Sequence, residues 1–204
     1  MAGRHIWALF LTRACNMACT YCYLRDFPAA GGAGAADMPR GTLLRTLDFI
    51  GAHSIRTGAG STDVGMFGRE PLMAPDLVRL VLDEAPRRVP FATLSINTNA
   101  ALLDGAMLDA LERSGVRIAI SLDGDRDSHD SGRAAAGGGS AYDRIKDNLP
   151  GLAAYSPAVI VRMTATPATA GRICRNVSHI AGLGFTRISL AFDLTSPGWG
   201  RAAL

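Results

Sequence analysis

Short apolar or β-branched runs alternate along the chain with longer segments whose apolar residues recur at helical spacing. The runs predict six strands, over residues 5–12, 62–67, 91–98, 116–123, 158–166 and 187–194. A predicted helix follows each of the first five strands, over residues 41–54, 74–87, 105–114, 141–155 and 169–184. Strands that alternate with helices indicate an α/β fold with a parallel sheet and right-handed crossovers. The pattern fits an open doubly wound sheet and a full or partial (β/α) barrel equally well.

Two stretches rich in glycine and alanine, residues 26–39 and 132–140, interrupt this alternation. Their composition predicts mobile loops. Pro150 lies inside the fourth predicted helix and is expected to kink that helix or end it early.

The composition is that of one globular domain spanning residues 1–204, which could be truncated after the sixth strand. The 21 basic and 18 acidic residues give a net charge of +3, spread along the chain, which does not favour a nucleic-acid partner. No apolar run reaches the roughly 18–20 residues of a membrane span, so we expect a cytoplasmic protein without a membrane partner. In that compartment the four cysteines favour metal binding or catalysis over disulfides.

Three of those cysteines crowd the stretch LTRACNMACTYCYL, residues 11–24. Cys15, Cys19 and Cys22 form a C-x3-C-x2-C run directly after the first predicted strand. Closely spaced thiolates are ligands of iron–sulfur clusters, and three of them leave one iron of a four-iron cubane open. A zinc site completed by one of the four histidines and a redox thiol set remain as alternatives. Cys174 lies on a predicted helix and is expected to be a small buried residue.

The segment CNMACTYC, with Tyr21 before the last cysteine, resembles the signature of the radical S-adenosylmethionine (SAM) superfamily. The resemblance implies a [4Fe–4S] cluster on the three cysteines, with SAM on the open iron through its amino and carboxylate groups. Tyr21 is expected to pack beside the bound cofactor. Reduction of the cluster would then cleave SAM to a 5′-deoxyadenosyl radical that abstracts hydrogen from a substrate. The resemblance also implies a partial (β/α)6 barrel over about residues 6–193, an oxygen-sensitive cluster, and an electron donor of flavodoxin or ferredoxin type.

Two further motifs follow the second and third predicted strands. MFGREPLM, residues 66–73, resembles the Gly-Gly-Glu-Pro element of the superfamily, with Arg69 in place of the second glycine. SINTNAALL, residues 95–103, resembles its Thr-Asn-Gly turn, with Ala100 in place of glycine. The resemblance assigns the following residues to SAM binding: Gly68, Glu70, Pro71, Thr98 and Asn99. Glu70 and the carbonyl groups around Gly68 would receive the SAM ammonium.

A fourth motif, ISLDGDRDSHDSGR over residues 120–133, resembles a stretch of the peptide-modifying and sulfatase-maturating branch of the superfamily. By that resemblance Ser121 approaches the SAM carboxylate or ribose, and Asp123 and Arg133 shape the site. A turn role for Asp123 is nearly as well supported, and His129 is interpreted as structural rather than as a base. Arg162, on the fifth strand, is either a partner of the SAM carboxylate or a residue of the barrel interior.

The substrate is the least constrained part of the prediction. The fourth motif favours maturation of a peptide or small-protein side chain, by analogy alone. That branch has a cysteine-rich C-terminal extension, which this sequence does not contain. We therefore keep two alternatives: an enzyme for a small molecule or cofactor precursor, and an inert cluster-binding subunit whose partner completes the barrel. No residue is assigned as the catalytic proton acceptor.

Overall fold

The computed structural model describes residues 3–24, 37–155 and 159–200. Six strands form one sheet in the order β1-β2-β3-β4-β5-β6, and every pairing described is parallel. The strands are β1 (Arg4–Phe10), β2 (Ser61–Phe67), β3 (Ala92–Thr98), β4 (Arg117–Ser121), β5 (Ile160–Ala165) and β6 (Arg187–Phe192). Doubly wound sheets reverse their strand order at a switch point, whereas barrels run in sequence order. The observed order confirms the parallel α/β prediction and selects the barrel-type topology.

Helices separate the strands in the predicted alternation. They are α1 (Arg40–Thr57), α2 (Pro75–Arg88), α3 (Gly105–Arg113), α4 (Arg126–Gly132), α5 (Ala141–Ile145), α6 (Leu149–Ala154) and α7 (Ile173–Gly182). Short 3₁₀ turns cover Pro71–Met73, Lys146–Asn148 and Ala170–Arg172. The helix expected over residues 141–155 is therefore three short segments, and Pro150 lies in the first turn of α6. A proline there has no hydrogen bond to lose, which is why the break falls just before it.

The chain divides into two compact units. The first comprises Met1–Ala14, Ala29–Thr98 and Asp104–Ile118. In it β1 pairs with β2 and β2 with β3, and the core contains Leu47 of α1 and Val64 of β2. Trp7 of β1 packs edge-on against Phe49 of α1, with ring centroids 5.8 Å apart. Alternate residues of β1 thus face the helix that follows it.

The second unit comprises Cys15–Pro28, Asn99–Leu103 and Ala119–Leu204. Here the last residues of β4 pair with β5, and β5 pairs with β6. Its buried core includes Ile120, Val161, Met163, Leu152 and Ile180. The single-domain organisation expected from the sequence stays a prediction.

The structure contains one helix that the sequence pattern did not predict, and it contradicts one sequence prediction. The polar segment over residues 126–132 is a helix, α4, which the apolar pattern could not reveal because its seven residues carry no helical repeat of apolar positions. Its start is fixed by Asp125, whose carboxylate accepts the N–H of Ser128. Cys174 is exposed rather than buried. It lies two positions before the buried Asn176 on α7, which puts it on the opposite face.

Among the residues that the structure describes, no helix is long and apolar enough to cross a bilayer. The predicted loop over residues 26–39 falls mostly outside the described residues, as does the start of the predicted fifth strand.

Candidate cofactor site

The loop that carries the cysteines is anchored by main-chain hydrogen bonds. Three of them, 2.7–3.0 Å long, join residues 16–20 to residues 132–136. Met17 and Ala135 form an antiparallel bridge at the centre of this contact. Residues 132–136 begin the stretch predicted as a mobile loop; most of it is loop in the structure, and its mobility stays a prediction. They pair with a segment more than one hundred positions earlier, a contact that local composition cannot signal.

A small apolar cluster lies under the cysteine loop. Met17, Ala135 and Ala141 are buried together, and Cys15 and Cys19 pack against them. The N–H of Met17 also donates to the sulfur of Cys15 at 3.4 Å. This packing and the main-chain bonds together hold the loop in place.

Asp123 connects the loop to the polypeptide that follows β4. Its carboxylate accepts the hydroxyl of Tyr21, the N–H of Thr164 at 2.8 Å and two N–H groups of Arg133 at 2.9 and 3.1 Å. Asp123 is 2% exposed and the guanidinium lies over the Tyr21 ring, 5.3 Å from its centroid. Gly132 completes the contact, since a Cβ there would lie 2.6 Å from the Tyr21 ring. Asp123 is therefore a fully bonded acceptor, which is more than the turn role that the sequence allowed.

Burial and neighbouring charges shift the pKa values of Arg133, Tyr21 and Cys19. Burial disfavours the charged form of Arg133, but Asp123, Tyr21 and Cys19 together outweigh it and raise the pKa of the guanidinium. Burial raises the pKa of the Tyr21 hydroxyl, which keeps it protonated as a donor to Asp123. Burial also raises the pKa of the Cys19 thiol, against the opposing effect of Arg133. The Nη1 atom of Arg133 lies 4.0 Å from the Cys19 sulfur.

His129 has the structural role that the sequence favoured. It is 1% exposed, and its Nδ1 atom accepts the main-chain N–H of Asp123 at 3.3 Å. Burial, followed by the charge of Arg133, lowers the pKa of His129 to about 4. The neutral imidazole thus holds the Asp123 backbone in place.

The Thr-Asn-Ala turn meets the cysteine loop through its asparagine. The Asn99 amide donates to the Asn16 side chain at 2.8 Å and accepts the N–H of Ala101 at 3.0 Å. Ala100 is fully buried with φ 63°, so alanine adopts here the left-handed conformation that glycine favours. The sequence motif identified Asn99, but nothing marked Asn16 as its partner.

In the first unit, Glu70 is a buried carboxylate held in one orientation. Its Oε1 atom accepts the Thr98 hydroxyl at 2.6 Å and the N–H of Leu72 at 3.0 Å. Pro71 is buried and opens the 3₁₀ turn that Glu70 caps. The N–H of Glu70 donates at 3.0 Å to the carbonyl of Ala14, the residue before Cys15. The structure thus pairs two residues, Glu70 and Thr98, that the motifs predicted separately.

Gly68 is required by a close approach of two backbones. A Cβ on Gly68 would lie 2.7 Å from the Thr12 carbonyl oxygen. The same carbonyl accepts the N–H of Arg69 at 3.2 Å. Arg69 does not have a positive φ, so its substitution for glycine leaves the turn intact.

Ser121 and Arg162 are register partners on β4 and β5, which places their side chains on the same face of the sheet. Ser121 is half-buried at the end of its strand, and Arg162 is exposed. The structure brings these two predicted residues together, and their contact with SAM stays a prediction.

The donor set fits an iron–sulfur cubane. Three half-buried thiols lie on one anchored loop, beside a guanidinium that offsets thiolate charge. Across residues 3–24, 37–155 and 159–200, no three His, Cys, Asp or Glu side chains surround a point that one metal ion could occupy. Each thiolate of a cubane binds a different iron, so three thiols on one loop suit such a cluster. A buried carboxylate such as Glu70 likewise suits an ammonium group.

Comparisons with known proteins agree with this chemistry. The chain matches the radical SAM superfamily over residues 9–170. It is 33% identical over 125 residues to a probable GTP 3′,8-cyclase of Methanothermobacter thermautotrophicus, covering 59% of this chain and 36% of that protein. It is 30% identical over 114 residues to human molybdenum cofactor biosynthesis protein 1, covering 55% of this chain and 16% of that protein. The chain spans about a third of the length of the first of these relatives.

Solved structures share the fold. Native anSMEcpe with bound AdoMet and Kp18Cys peptide superposes with a TM-score of 0.78 at 16% identity, covering all of this chain and 56% of that one. A second structure, native anSMEcpe with bound AdoMet, gives 0.76 at 17% identity, covering 94% of this chain and 52% of that one. These likenesses confirm the expected partial (β/α)6 barrel. Membership of the family implies a [4Fe–4S] cluster and SAM as cofactors. By its match over residues 9–170 and its three-cysteine loop, the chain belongs to the radical SAM superfamily.

Proposed function

We propose that this chain is the catalytic core of a radical SAM enzyme that acts on a small molecule or cofactor precursor, with a purine nucleotide as the first candidate. The observation that carries the enzyme assignment is the cysteine loop, because its three half-buried thiols lie on one segment that main-chain hydrogen bonds hold in place. When bound, the cluster would supply the electron that cleaves SAM to the radical that abstracts hydrogen.

The described residues would have separate tasks in this function. Cys15, Cys19 and Cys22 would hold the cluster, and the Gly68–Pro71 turn with Thr98 would orient Glu70 toward the SAM ammonium. Hydrogen bonding of Glu70 by Thr98 supports that task, because it fixes one carboxylate oxygen and so the direction of the other.

Further SAM contacts are assigned by resemblance. Ser121 would lie near the SAM carboxylate or ribose, Arg133 would shape the site, and Arg162 is a candidate partner of the SAM carboxylate. Asn99 would support the loop from Asn16. Tyr21 and Asp123 would keep the remaining side of the loop in place.

The substrate assignment rests on the sequence relatives. At about 30% identity these are proteins named for GTP cyclisation and molybdenum cofactor biosynthesis, which favours the small-molecule alternative over the peptide maturation that the sequence motif suggested. The anSMEcpe structures with peptide are under 20% identical and support only the fold. Peptide maturation remains the second candidate because of the ISLDGDRDSHDSGR stretch.

The enzyme assignment is tested by anaerobic reconstitution with iron and sulfide, reduction, addition of SAM and quantification of 5′-deoxyadenosine. We expect product from the wild type and none from Cys19→Ala. Cys174→Ala is the matched control, since this exposed cysteine lies outside the loop. A cluster that forms without SAM cleavage would instead support the inert partner subunit.

The substrate class is tested with ribose-deuterated GTP. We expect GTP to accelerate SAM cleavage and to pass deuterium into 5′-deoxyadenosine. If GTP and the other nucleoside triphosphates do neither, while a short peptide encoded beside the gene does, the small-molecule proposal is wrong and the maturase is right.

A further inference from the structure

The guanidinium of Arg133 has two different neighbours. Its Nε and Nη2 atoms donate to the two oxygens of Asp123, at 2.9 and 3.1 Å. Its remaining terminal nitrogen, Nη1, lies 4.0 Å from the sulfur of Cys19. The Arg133 side chain is only 10% exposed and Asp123 only 2%, so little water separates these groups.

This arrangement gives the ion pair a direction. The bidentate bonds hold the carboxylate on one side of the planar guanidinium, which leaves the positive end of the pair facing the Cys19 sulfur. The Tyr21 hydroxyl and the Thr164 N–H also donate to Asp123 and draw its negative charge away from the sulfur. The pair is therefore neutral overall but oriented as a dipole toward one thiolate.

Reduction adds negative charge to an iron–sulfur cluster and its thiolates. A fixed positive group beside a ligand sulfur stabilises the reduced form, and hydrogen bonds to the sulfurs have the same effect. We propose that Arg133, oriented by Asp123, is a positioning residue that donates to the Cys19 thiolate and raises the reduction potential of the cluster. This inference rests on the proposed function, because it requires the cluster on the cysteine loop.

The geometry makes the side chain specific. Arginine alone offers enough N–H groups in a fixed fork to bind both carboxylate oxygens and still face the sulfur. A lysine ammonium is a single point, so it would reach Asp123 or Cys19 but would not bridge them. Replacing Arg133 by glutamine or by lysine should therefore lower the reduction potential in both cases, and lysine should lower it less.

The test is a redox titration of the reconstituted cluster without SAM, followed by electron paramagnetic resonance. Omitting SAM removes any contribution of Arg133 to SAM binding. We expect Arg133→Gln to make reduction about tenfold less favourable, a fall of about 59 mV for a one-electron couple. Arg133→Lys should give a smaller fall. Arg126→Gln is the control: this exposed arginine at the start of α4 pairs with Asp143, and its replacement should leave the potential unchanged.

The outcomes separate this inference from the proposed function. A wild-type protein that assembles no cluster refutes the proposed function itself. A wild type that cleaves SAM, together with an Arg133→Gln cluster of unchanged potential, overturns the role of Arg133 alone. If Arg133→Gln assembles no cluster, the reduction potential of the Arg133→Lys cluster is compared with that of the wild type. An unchanged potential then overturns the role of Arg133. Failure of both variants to bind iron would make Arg133 a structural residue and also overturn the inference.

Discussion

Replacing Gly132 by alanine would place a methyl group against the ring that closes over the cysteine loop. The new Cβ would lie 2.6 Å from the Cε1 atom of Tyr21, and 3.4 and 3.6 Å from Cδ1 and Cζ. Non-bonded carbon atoms are most stable about 3.5–4.0 Å apart, so the ring edge would have to retreat by about 1 Å. The ring is not free to do so, because its hydroxyl binds Asp123 and its face meets Arg133.

The cost follows from this geometry. Overpacking of a tight contact costs about 1–3 kcal/mol, and replacing glycine at the end of α4 returns up to about 1 kcal/mol. With that gain subtracted, we expect a net loss of up to about 2 kcal/mol in the free energy of unfolding. For a chain of this length that corresponds to a fall of up to about 8 °C in Tm.

A double-mutant cycle isolates the contact. Urea unfolding of the reduced, metal-free chain is measured for Gly132→Ala, Tyr21→Ala and the double variant. In the Tyr21→Ala background only the gain from replacing glycine should remain, so the coupling should equal the overpacking cost of about 1–3 kcal/mol. Gly171→Ala is the matched control, because a Cβ there meets no atom within 4 Å. An equal cost of Gly132→Ala in both backgrounds would show that Tyr21 does not pack on this glycine.

Three further outcomes are expected. His129 has a pKa of about 4 in the folded chain and about 6.5 in the unfolded chain. As pH falls, the unfolded state therefore binds the proton first. The free energy of unfolding should drop by about 3 kcal/mol between pH 6.5 and 4. Urea titrations across that window check this, and a His129→Asn variant with the same slope would refute it. Asp123→Asn should lower the free energy of unfolding by about 3–5 kcal/mol, because it leaves the buried Arg133 charge uncompensated. An unfolding curve that matches the wild type would contradict this. Thr98→Val should lower the free energy of unfolding by about 1–3 kcal/mol and weaken SAM binding measured by calorimetry. Thr98→Ser is the control, because it keeps the hydroxyl that donates to Glu70. Equal SAM affinities of the two variants would contradict that role.

The elements with strong periodicity could be predicted from the sequence. All six strands and the long helices α1 and α2 follow from apolar residues at regular spacing, because that spacing reports which face an element buries. The order of the motifs then identified the strand ends. Helix α4 could not be found this way, since it is short, polar and held by its Asp125 cap.

The contacts that organise the site could be predicted only in part. Cys15, Cys19, Glu70 and Asp123 stand out because their residue types carry chemistry. The residues that hold these side chains in place do not stand out in the sequence. The pairing of residues 16–20 with residues 132–136 uses main-chain groups that every residue has. Such pairings depend on how distant segments meet, and a glycine- and alanine-rich sequence is equally typical of a loop.

The central claim is that three thiolates hold a cubane whose open iron binds SAM. Mössbauer spectroscopy of the chain reconstituted with ⁵⁷Fe, recorded before and after addition of SAM, tests it most directly. We predict a [4Fe–4S] spectrum in which SAM changes the signal of a single iron of the cubane. A chain that loads no cluster, or a cluster whose spectrum SAM leaves unchanged, would contradict the account.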